Sequence, residues 1–316
     1  MDIKGSVVLV TGGAGLIGSH TVDRLLKEDV ENIVVFDKVI NERNLAEAMR
    51  SRRVKVIQGD IFKLQDVKAA VNGADFVFHF AAMLMLPSIK NPRKCLRDNI
   101  IGTFNLLELI GKQKVKKLIF ASSIAPYGSS KEKVLMTEDY PFKNRTMYGA
   151  SKIVGEQFCR IIYDMTGLKY LALRYSSAYG PRQHWEGLYP RLILHALERI
   201  DQGLPPQIEG SGDDVQNFIY VEDAAEASVL ALKSDVDDEA INIASGVPTT
   251  TKELIQTLIN LTRPGLEIEF LPAPENAFQP SRWVSIEKAK MLLGFAPRTD
   301  LQTGLRKLIE WRRHTR

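Results

Sequence analysis

The sequence predicts an α/β fold, a doubly wound parallel sheet followed by a smaller C-terminal α+β domain, on three observations. Short β-branched runs alternate with longer helical patterns over the first half of the chain, the sequence form of parallel strands joined by crossover helices. The runs are apolar at every position, as in strands whose two faces are both covered. A glycine-rich turn joins the first run directly to a helical pattern, which makes the sheet Rossmann-type.

In chain order the expected strands are VVLVT at 7–11, IVVFD at 33–37, VKVIQGD at 54–60, DFVFHFA at 75–81, KKLIFASS at 116–123 and KYLALRYS at 169–176. Past about residue 180 the rhythm gives way to turn-rich stretches, YGPRQHWEG and GLPPQIEGSGDD, with isolated helices at 221–234 and 285–293. The expected division is a nucleotide-binding domain at 1–180 and a mainly substrate-binding domain at 181–316 that closes over it, with about 211–245 returning to the first.

A chain of 316 residues can bury one large core or a large one and a small one. With 45% hydrophobic and 25% charged residues it reads as an ordinary soluble globular protein. The net charge of +4 is small, and the basic clusters KQKVKK (112–117) and WRRHTR (311–316) adjoin apolar helical runs. They read as solvated helix ends, so no nucleic-acid partner is expected. Cys95 and Cys159 lie far apart in helical patterns, which suits a reducing compartment. Neither they nor the histidines at 20, 79, 184, 195 and 314 show ligand spacing, and no metal is expected. Without a secretory pattern or an apolar stretch of membrane length, the expected location is the cytoplasm, away from membranes.

VVLVTGGAGLIGSH sets Gly12, Gly15 and Gly18 between the first strand and a helix. Glycines there allow a tight turn, close approach of backbone to a pyrophosphate and close helix packing, with the helix N-terminus facing the phosphate charge. The second strand ends at Asp37, nineteen residues beyond Gly18, a place that suits a turn residue but also a carboxylate binding both ribose hydroxyls. Such a carboxylate repels a 2′-phosphate. NAD is therefore expected over NADP, although Lys38 and Arg43 nearby would favour the latter. In GDI at 59–61, Asp60 beside Ile61 either brackets an adenine edge or forms an ordinary loop.

NRTMYGASKIVGEQF places Tyr148 and Lys152 one helical turn apart, which is ordinarily a solvated surface pair. Hydride transfer to or from an alcohol, however, needs a proton moved at the same oxygen. Bringing a phenol from a pKa of ~10 to neutrality takes ~4 kcal/mol of phenolate stabilisation. The Lys152 ammonium is placed to supply much of that and to donate to the nicotinamide ribose. Ser123 ends the fifth strand, at the carboxyl edge where open parallel sheets bind ligands, and its hydroxyl can hold the substrate oxygen.

TGGAGLIG, ASSIAPYG, YGASK and LRYSSAYGPRQ, followed by YVEDAAEA and GLRKLIEWRR, resemble the extended short-chain dehydrogenase/reductases over nearly the whole chain. Within them the pattern is similar to the NAD-dependent epimerase/dehydratase family of nucleotide-sugar enzymes, nearest to the UDP-glucose 4-epimerase-like proteins of cell-surface polysaccharide synthesis. By that resemblance Leu16 and Ile17 lie at the pyrophosphate turn, Asp60 and Ile61 at adenine, and Phe80, Ala81 and Asn99 along the cofactor. Ser123, Tyr148 and Lys152 take the catalytic positions. The resemblance also implies a homodimer built as an intermolecular four-helix bundle. Apolar residues suited to it, unless the core takes them, are Leu96, Ile100, Phe104 and Leu107 near 93–112 and Ile153, Phe158, Ile161 and Ile162 near 147–166.

Relatives that eliminate water or decarboxylate carry an acid beside the active-site serine or threonine, because those steps need a second proton carrier. Here the next residues are Ile124 and Ala125. Relatives that combine 3,5-epimerisation with reduction tend to carry a cysteine in this segment, and this chain has none. What remains is inversion at C4 of a UDP-hexose through a transient 4-keto sugar. The rival readings are an NAD-dependent dehydrogenase or reductase of a sugar or small alcohol, and a non-catalytic NAD-sensing protein. The intact tyrosine and lysine argue against the last.

The chain departs from the family at its substrate positions. Arg174-Tyr175-Ser176-Ser177 replaces Arg-Tyr-Phe-Asn, which leaves Ser177 a shortened contact to the nucleotide. Gln216 and Asn217 stand where an arginine commonly meets the diphosphate, while Arg282 matches the second diphosphate arginine. Gly187 replaces an expected asparagine. The loop His184-Trp185-Glu186 either touches the sugar or has no role.

Overall fold

The computed structural model describes the chain except residues 131, 133, 184–187, 274–280 and 316, and describes 188–190 in their backbone alone. Seven strands form the central sheet: β1 (Val7–Thr11), β2 (Asn32–Asp37), β3 (Val54–Gln58), β4 (Phe76–His79), β5 (Lys117–Ser123), β6 (Lys169–Tyr175) and β7 (Glu239–Ile243). Their order is β3-β2-β1-β4-β5-β6-β7, every pair parallel. The winding reverses between β1 and β4, and the carboxyl ends there open a crevice.

The eight longer helices are α1 (Leu16–Leu25), α2 (Leu64–Val71), α3 (Gly102–Gly111), α4 (Met147–Thr166), α5 (Leu188–Asp201), α6 (Val221–Lys233), α7 (Thr251–Thr262) and α8 (Leu301–Thr315). The inner strands are mostly apolar because the sheet has two cores, while the edge strand β3 is partly exposed. Val8 and Val10 of β1 face α1 and α6 with Val22, Leu25, Val229 and Leu232. Leu9 faces the other side with Val67, Leu106, Ile110 and Cys159 of α2, α3 and α4. A third core joins Ile193, Leu197, Phe218, Leu254, Leu258, Leu305 and Leu308 of the later segments. These also form a small sheet of Ser177–Tyr179, Val215–Tyr220 and Pro248–Thr250. β7 is a late segment that pairs with β6 in the large sheet, whereas Val215–Tyr220 does not join that sheet.

α4 starts at an N-cap, Thr146, whose side chain accepts from Gly149 N at 3.0 Å, and ends at Gly167 in the left-handed conformation (φ +75). Between them Gly155 is the point of closest approach, since a Cβ there would lie 2.3 Å from the Phe120 ring of β5. The basic cluster at 112–117 is not uniformly solvated. Lys117 begins β5 with no exposure, and its ammonium caps the end of α6, donating to Ala231 O and Ser234 O at 2.8 Å each. A buried strand residue gains those carbonyls in place of water.

Of the apolar residues proposed for a helix-bundle face, Leu107 and Ile162 turn inward and belong to the sheet core. Leu96, Phe104 and Ile161 are exposed, as are Ile101 and Met165 beside them. Among the described residues no helix is long and apolar enough to cross a membrane.

Candidate active site

The strand ends open into a cavity of about 790 Å³. Strand order fixes the sequence of groups along it, from Asp60 and Asp37 beyond β3 and β2, past the glycine turn, to Ser123 at β5 and Ser177 after β6.

The turn after β1 fits no side chain at its tightest points. Gly12 has φ +67, and a Cβ on it would lie 2.5 Å from Ala81 N; one on Gly18 would lie 2.2 Å from Gly12 O. Gly15 caps α1 without a side-chain acceptor, so the first-turn N–H groups of α1 beside Leu16 and Ile17 remain for an anion in the cavity. At the end of β2, Asp37 accepts from Ala14 N at 3.0 Å and Val39 N at 3.2 Å. Burial pushes its pKa up against the pull of these backbone hydrogen bonds. Backbone donors alone, with no cation paired to it, leave lone pairs on the carboxylate.

For Asp60, burial is outweighed by the hydrogen bond from Lys38 (2.7 Å) and that of Phe62 N, together with the charges of Lys38 and Arg97, which hold the carboxyl below its usual range. Lys38 is thereby engaged at the β2–β3 end of the cavity. Ile61 is buried beside it, and Phe80 stacks on Phe78 at 5.8 Å, next to Ala81. Asn99 does not line the cavity as expected. It is buried behind the wall, where Oδ1 accepts from Met83 N (2.7 Å) and Nδ2 donates to Met83 O and Ser151 Oγ (3.0 Å each). Ser151 Oγ donates to Tyr148 O at 2.7 Å, so Asn99 ties the segment after β4 to the turn of α4 that carries Tyr148. Asn99 lies in a π-helical stretch, Leu96–Ile101, which rotates it inward.

Ser123, Tyr148 and Lys152 do meet in the cavity. Ser123 Oγ accepts from Ala125 N at 3.1 Å and lies near enough to the Tyr148 phenol to act on its titration. Lys152 Nζ donates to Ala121 O at 2.6 Å and stands 5.6 Å from the Tyr148 ring centre. The pair by itself does not acidify the phenol as its spacing suggested. Burial pushes Tyr148 up to about 12, against the opposing pull of the Ser123 hydroxyl. The same burial brings Lys152 down to about 8. In a low-dielectric pocket both groups favour their neutral forms.

On the far side Ser177 and Arg282 line the cavity, and Arg282 Nε donates to Gly128 O at 2.5 Å. Gln216 and Asn217 do not line it. Both are fully buried, and Asn217 Oδ1 accepts from Val284 N at 2.8 Å, joining two segments of the second body. His184, Trp185, Glu186 and Gly187 lie outside the described residues. Sequence reasoning missed Arg182, which lines the cavity with φ +68 and donates to Asp23 of α1 at 2.6 Å. It stands in the YGPRQ motif, the one signal for it. His79 is structural: Thr11 and Thr103 bond its two ring nitrogens at 2.7 and 2.9 Å, and burial lowers it to about 3.

Residues 8–244 match the profile of the family described as "NAD dependent epimerase/dehydratase family". The chain is 30% identical over 308 residues to a protein of Methanocaldococcus jannaschii named putative UDP-glucose 4-epimerase, covering 96% of this chain and 98% of that one. Among solved structures it resembles the UDP-N-acetylglucosamine 4-epimerase of Methanobrevibacter ruminantium in complex with UDP-N-acetylmuramic acid (TM-score 0.90, 29% identity, 99% and 100% of the two chains). It also resembles the UDP-glucuronic acid 4-epimerase of Bacillus cereus with UDP-glucuronic acid and NAD (TM-score 0.87, 27% identity, 98% and 100%).

Lysine 152 gives a stability signature. Its ordinary value of 10.5 falls to about 8 on folding. Between those pH values the unfolded chain holds a proton that the folded chain has released, so this contribution to stability rises with pH there and is flat below. The unfolding free energy of Lys152→Met minus that of the wild type should be constant up to about pH 8 and then fall by about 3 kcal/mol by pH 10.5. Urea unfolding across that range measures it, and a flat difference would contradict the buried ammonium.

Proposed function

Because the chain belongs to the NAD dependent epimerase/dehydratase family, we propose that it inverts C4 of a nucleotide-linked hexose, a UDP-hexose or derivative, with NAD as cofactor. The observation that carries the epimerase reading is where the carboxylates stand. Among the described residues lining the cavity they are Asp37, Asp60 and Asp98. The first two lie at the β2–β3 end, and Asp98 is paired with Lys94 and Arg97. Beside Ser123 stand Ile124 and Ala125, so the described residues place no second proton carrier for elimination or decarboxylation there.

The side-chain-free turn at Gly12, Gly15 and Gly18, with Leu16 and Ile17 opening α1, suits a pyrophosphate. Asp37 suits the adenosine ribose, Asp60 and Ile61 the adenine, and Phe80 and Ala81 the stretch between. NAD, when bound, supplies the acceptor that takes the C4 hydrogen and gives it back. Ser123 holds the C4 oxygen, and Tyr148 takes its proton. Lys152 is the cation beside the buried phenol, whose ionisation needs positive charge close by. Arg282 tethers the diphosphate and Ser177 contacts the nucleotide while the ring turns, and the small side chains of Ala125, Ser176 and Ala178 leave it room. Tyr148 then returns the proton, and one carbon is inverted without net oxidation.

The reading extends to assembly. A shallow apolar depression of about 220 Å³ between α3 and α4 is lined by Phe104, Phe158, Ile161, Ile162 and Met165, and a second copy packing α3 and α4 against the first would cover it as a symmetric homodimer.

Tyr148→Phe should lower interconversion of UDP-glucose and UDP-galactose by about 10²–10⁴-fold, read by separating the isomers, while NAD is still recovered from the denatured variant. Wild-type rates in that variant would end the assignment of Tyr148. Sedimentation should give twice the 35.5 kDa chain mass, and a 35.5 kDa species at working concentration would contradict the dimer.

A further inference from the structure

The most deeply buried ion pair among the described residues lies beneath the reacting groups. Glu156 of α4 and Arg174 of β6 are 9% and 7% exposed. The guanidinium forks onto the carboxylate, Nε donating to Oε1 at 2.9 Å and Nη2 to Oε2 at 2.7 Å. Ser122 Oγ donates to the same Oε1. Nη1 donates to Tyr127 OH and Glu138 O, each at 2.8 Å, and Tyr127 OH donates to Asn242 Oδ1 of β7 at 2.8 Å. Enclosing two charges is costly, and well-packed apolar residues of like volume often hold a fold as well or better. Stability alone is therefore a weak reason for the pair.

Its placement supplies a better one. Glu156 lies one turn beyond Lys152, and their side chains grip successive residues of β5: Lys152 Nζ donates to Ala121 O, and Glu156 accepts from Ser122 Oγ. Ser123 follows at once. On its other side Tyr127 is held by Arg174, with the guanidinium 5.3 Å from its ring centre. The strand end is thus fixed before and after Ser123 by groups that also fix the helix bearing Tyr148.

We propose that Glu156 and Arg174 are positioning residues that hold Ser123, Tyr148 and Lys152 in register and keep the Lys152 ammonium charged, an inference that rests on those three as the reacting groups. The electrostatic part follows from what faces Lys152. From β5 comes the Phe120 ring, 5.1 Å from Nζ, and from α4 the Tyr148 ring. From β4 comes His79, neutral between its two threonines. Cys95 and Cys159 are thiols that burial pushes up, hence uncharged. Of the groups that act on Lys152, Glu156 alone brings a full negative charge.

Removing one charge would strand the other, so the test removes both: Glu156→Gln with Arg174→Gln, two neutral amides. In the NAD-loaded full chain, carbon-13 labelling of lysine Cε reads the Lys152 titration, the resonance being identified by its loss in Lys152→Met. The midpoint should move to lower pH by about one pH unit, and turnover of UDP-glucose at neutral pH should fall about 10-fold or more with KM within about twofold. An unmoved midpoint overturns the proposal whatever the rate, because loosening alone slows turnover without touching that titration. The titration needs no substrate, so inactivity of the wild type towards nucleotide sugars would remove the epimerase reading and leave this test standing. If the double variant does not fold, Ser122→Ala with Tyr127→Phe cuts both links to the Ser123 strand and leaves the ion pair. Turnover should then fall about 10-fold with the midpoint unchanged, and wild-type turnover would overturn the positioning role.

Discussion

Helix α4 packs on β5 at a glycine, with no room for a side chain unless the Phe120 ring shifts, and the groups that can react are carried by these two elements. A Cβ at Gly155 would meet Phe120 at 2.3 Å. With the helix so low, Lys152 reaches the Ala121 carbonyl and Glu156 the Ser122 hydroxyl, and Tyr148, one turn earlier, arrives over Ser123. Asn99 closes the arrangement from the other side by holding Met83 and Ser151 together. Side chains locked by packing and by second partners keep reacting groups within the narrow tolerances that proton transfer demands.

The same closeness creates an electrostatic problem that the rest of the site addresses. A parallel sheet covered on both faces offers little water, so charged forms are disfavoured: the phenol is driven up and the ammonium down. A tyrosine base there needs positive charge gathered around it, and a lysine cation needs a negative charge in support. In the proposed reading Lys152 meets the first need, together with the bound cofactor's positive charge, and Glu156 the second. Further along, the uncapped N-terminus of α1 and the paired Asp60 divide the cavity by sign, favourable to phosphate at the turn and to neutral hydroxyls and amines at the β2–β3 end.

Much of this was legible in the sequence because its signals are local. Apolar runs located β1 to β6, since a strand covered on both faces is mostly apolar, its few buried polar residues, such as Lys117 and Arg174, being paired. The spacing from Gly18 to the strand end picked out Asp37, and helical spacing joined Tyr148 to Lys152. What was missed depends on partners remote in the chain. Glu156 meets Arg174 and Ser122 only because β5 and β6 are neighbours, and Asn99 turns behind the cavity wall because a π-helical turn rotates it. Gln216 and Asn217, which stand where the family commonly has a diphosphate arginine, prove to be fully buried and absent from the cavity wall, their partners lying in later segments of the chain. Spacing also suggested an acidified phenol, because distance along a helix carries no information about desolvation.

Epimerisation at C4 requires hydride to leave and return within one turnover. Its most direct measurement uses a UDP-hexose carrying deuterium at C4 with protein freed of excess cofactor, following isomer ratio, label and absorbance of reduced nicotinamide together. An epimerase should interconvert the two C4 isomers with the deuterium kept on C4 and no accumulation of free NADH. NADH rising in proportion to the hexose consumed would contradict epimerisation and identify a dehydrogenase instead.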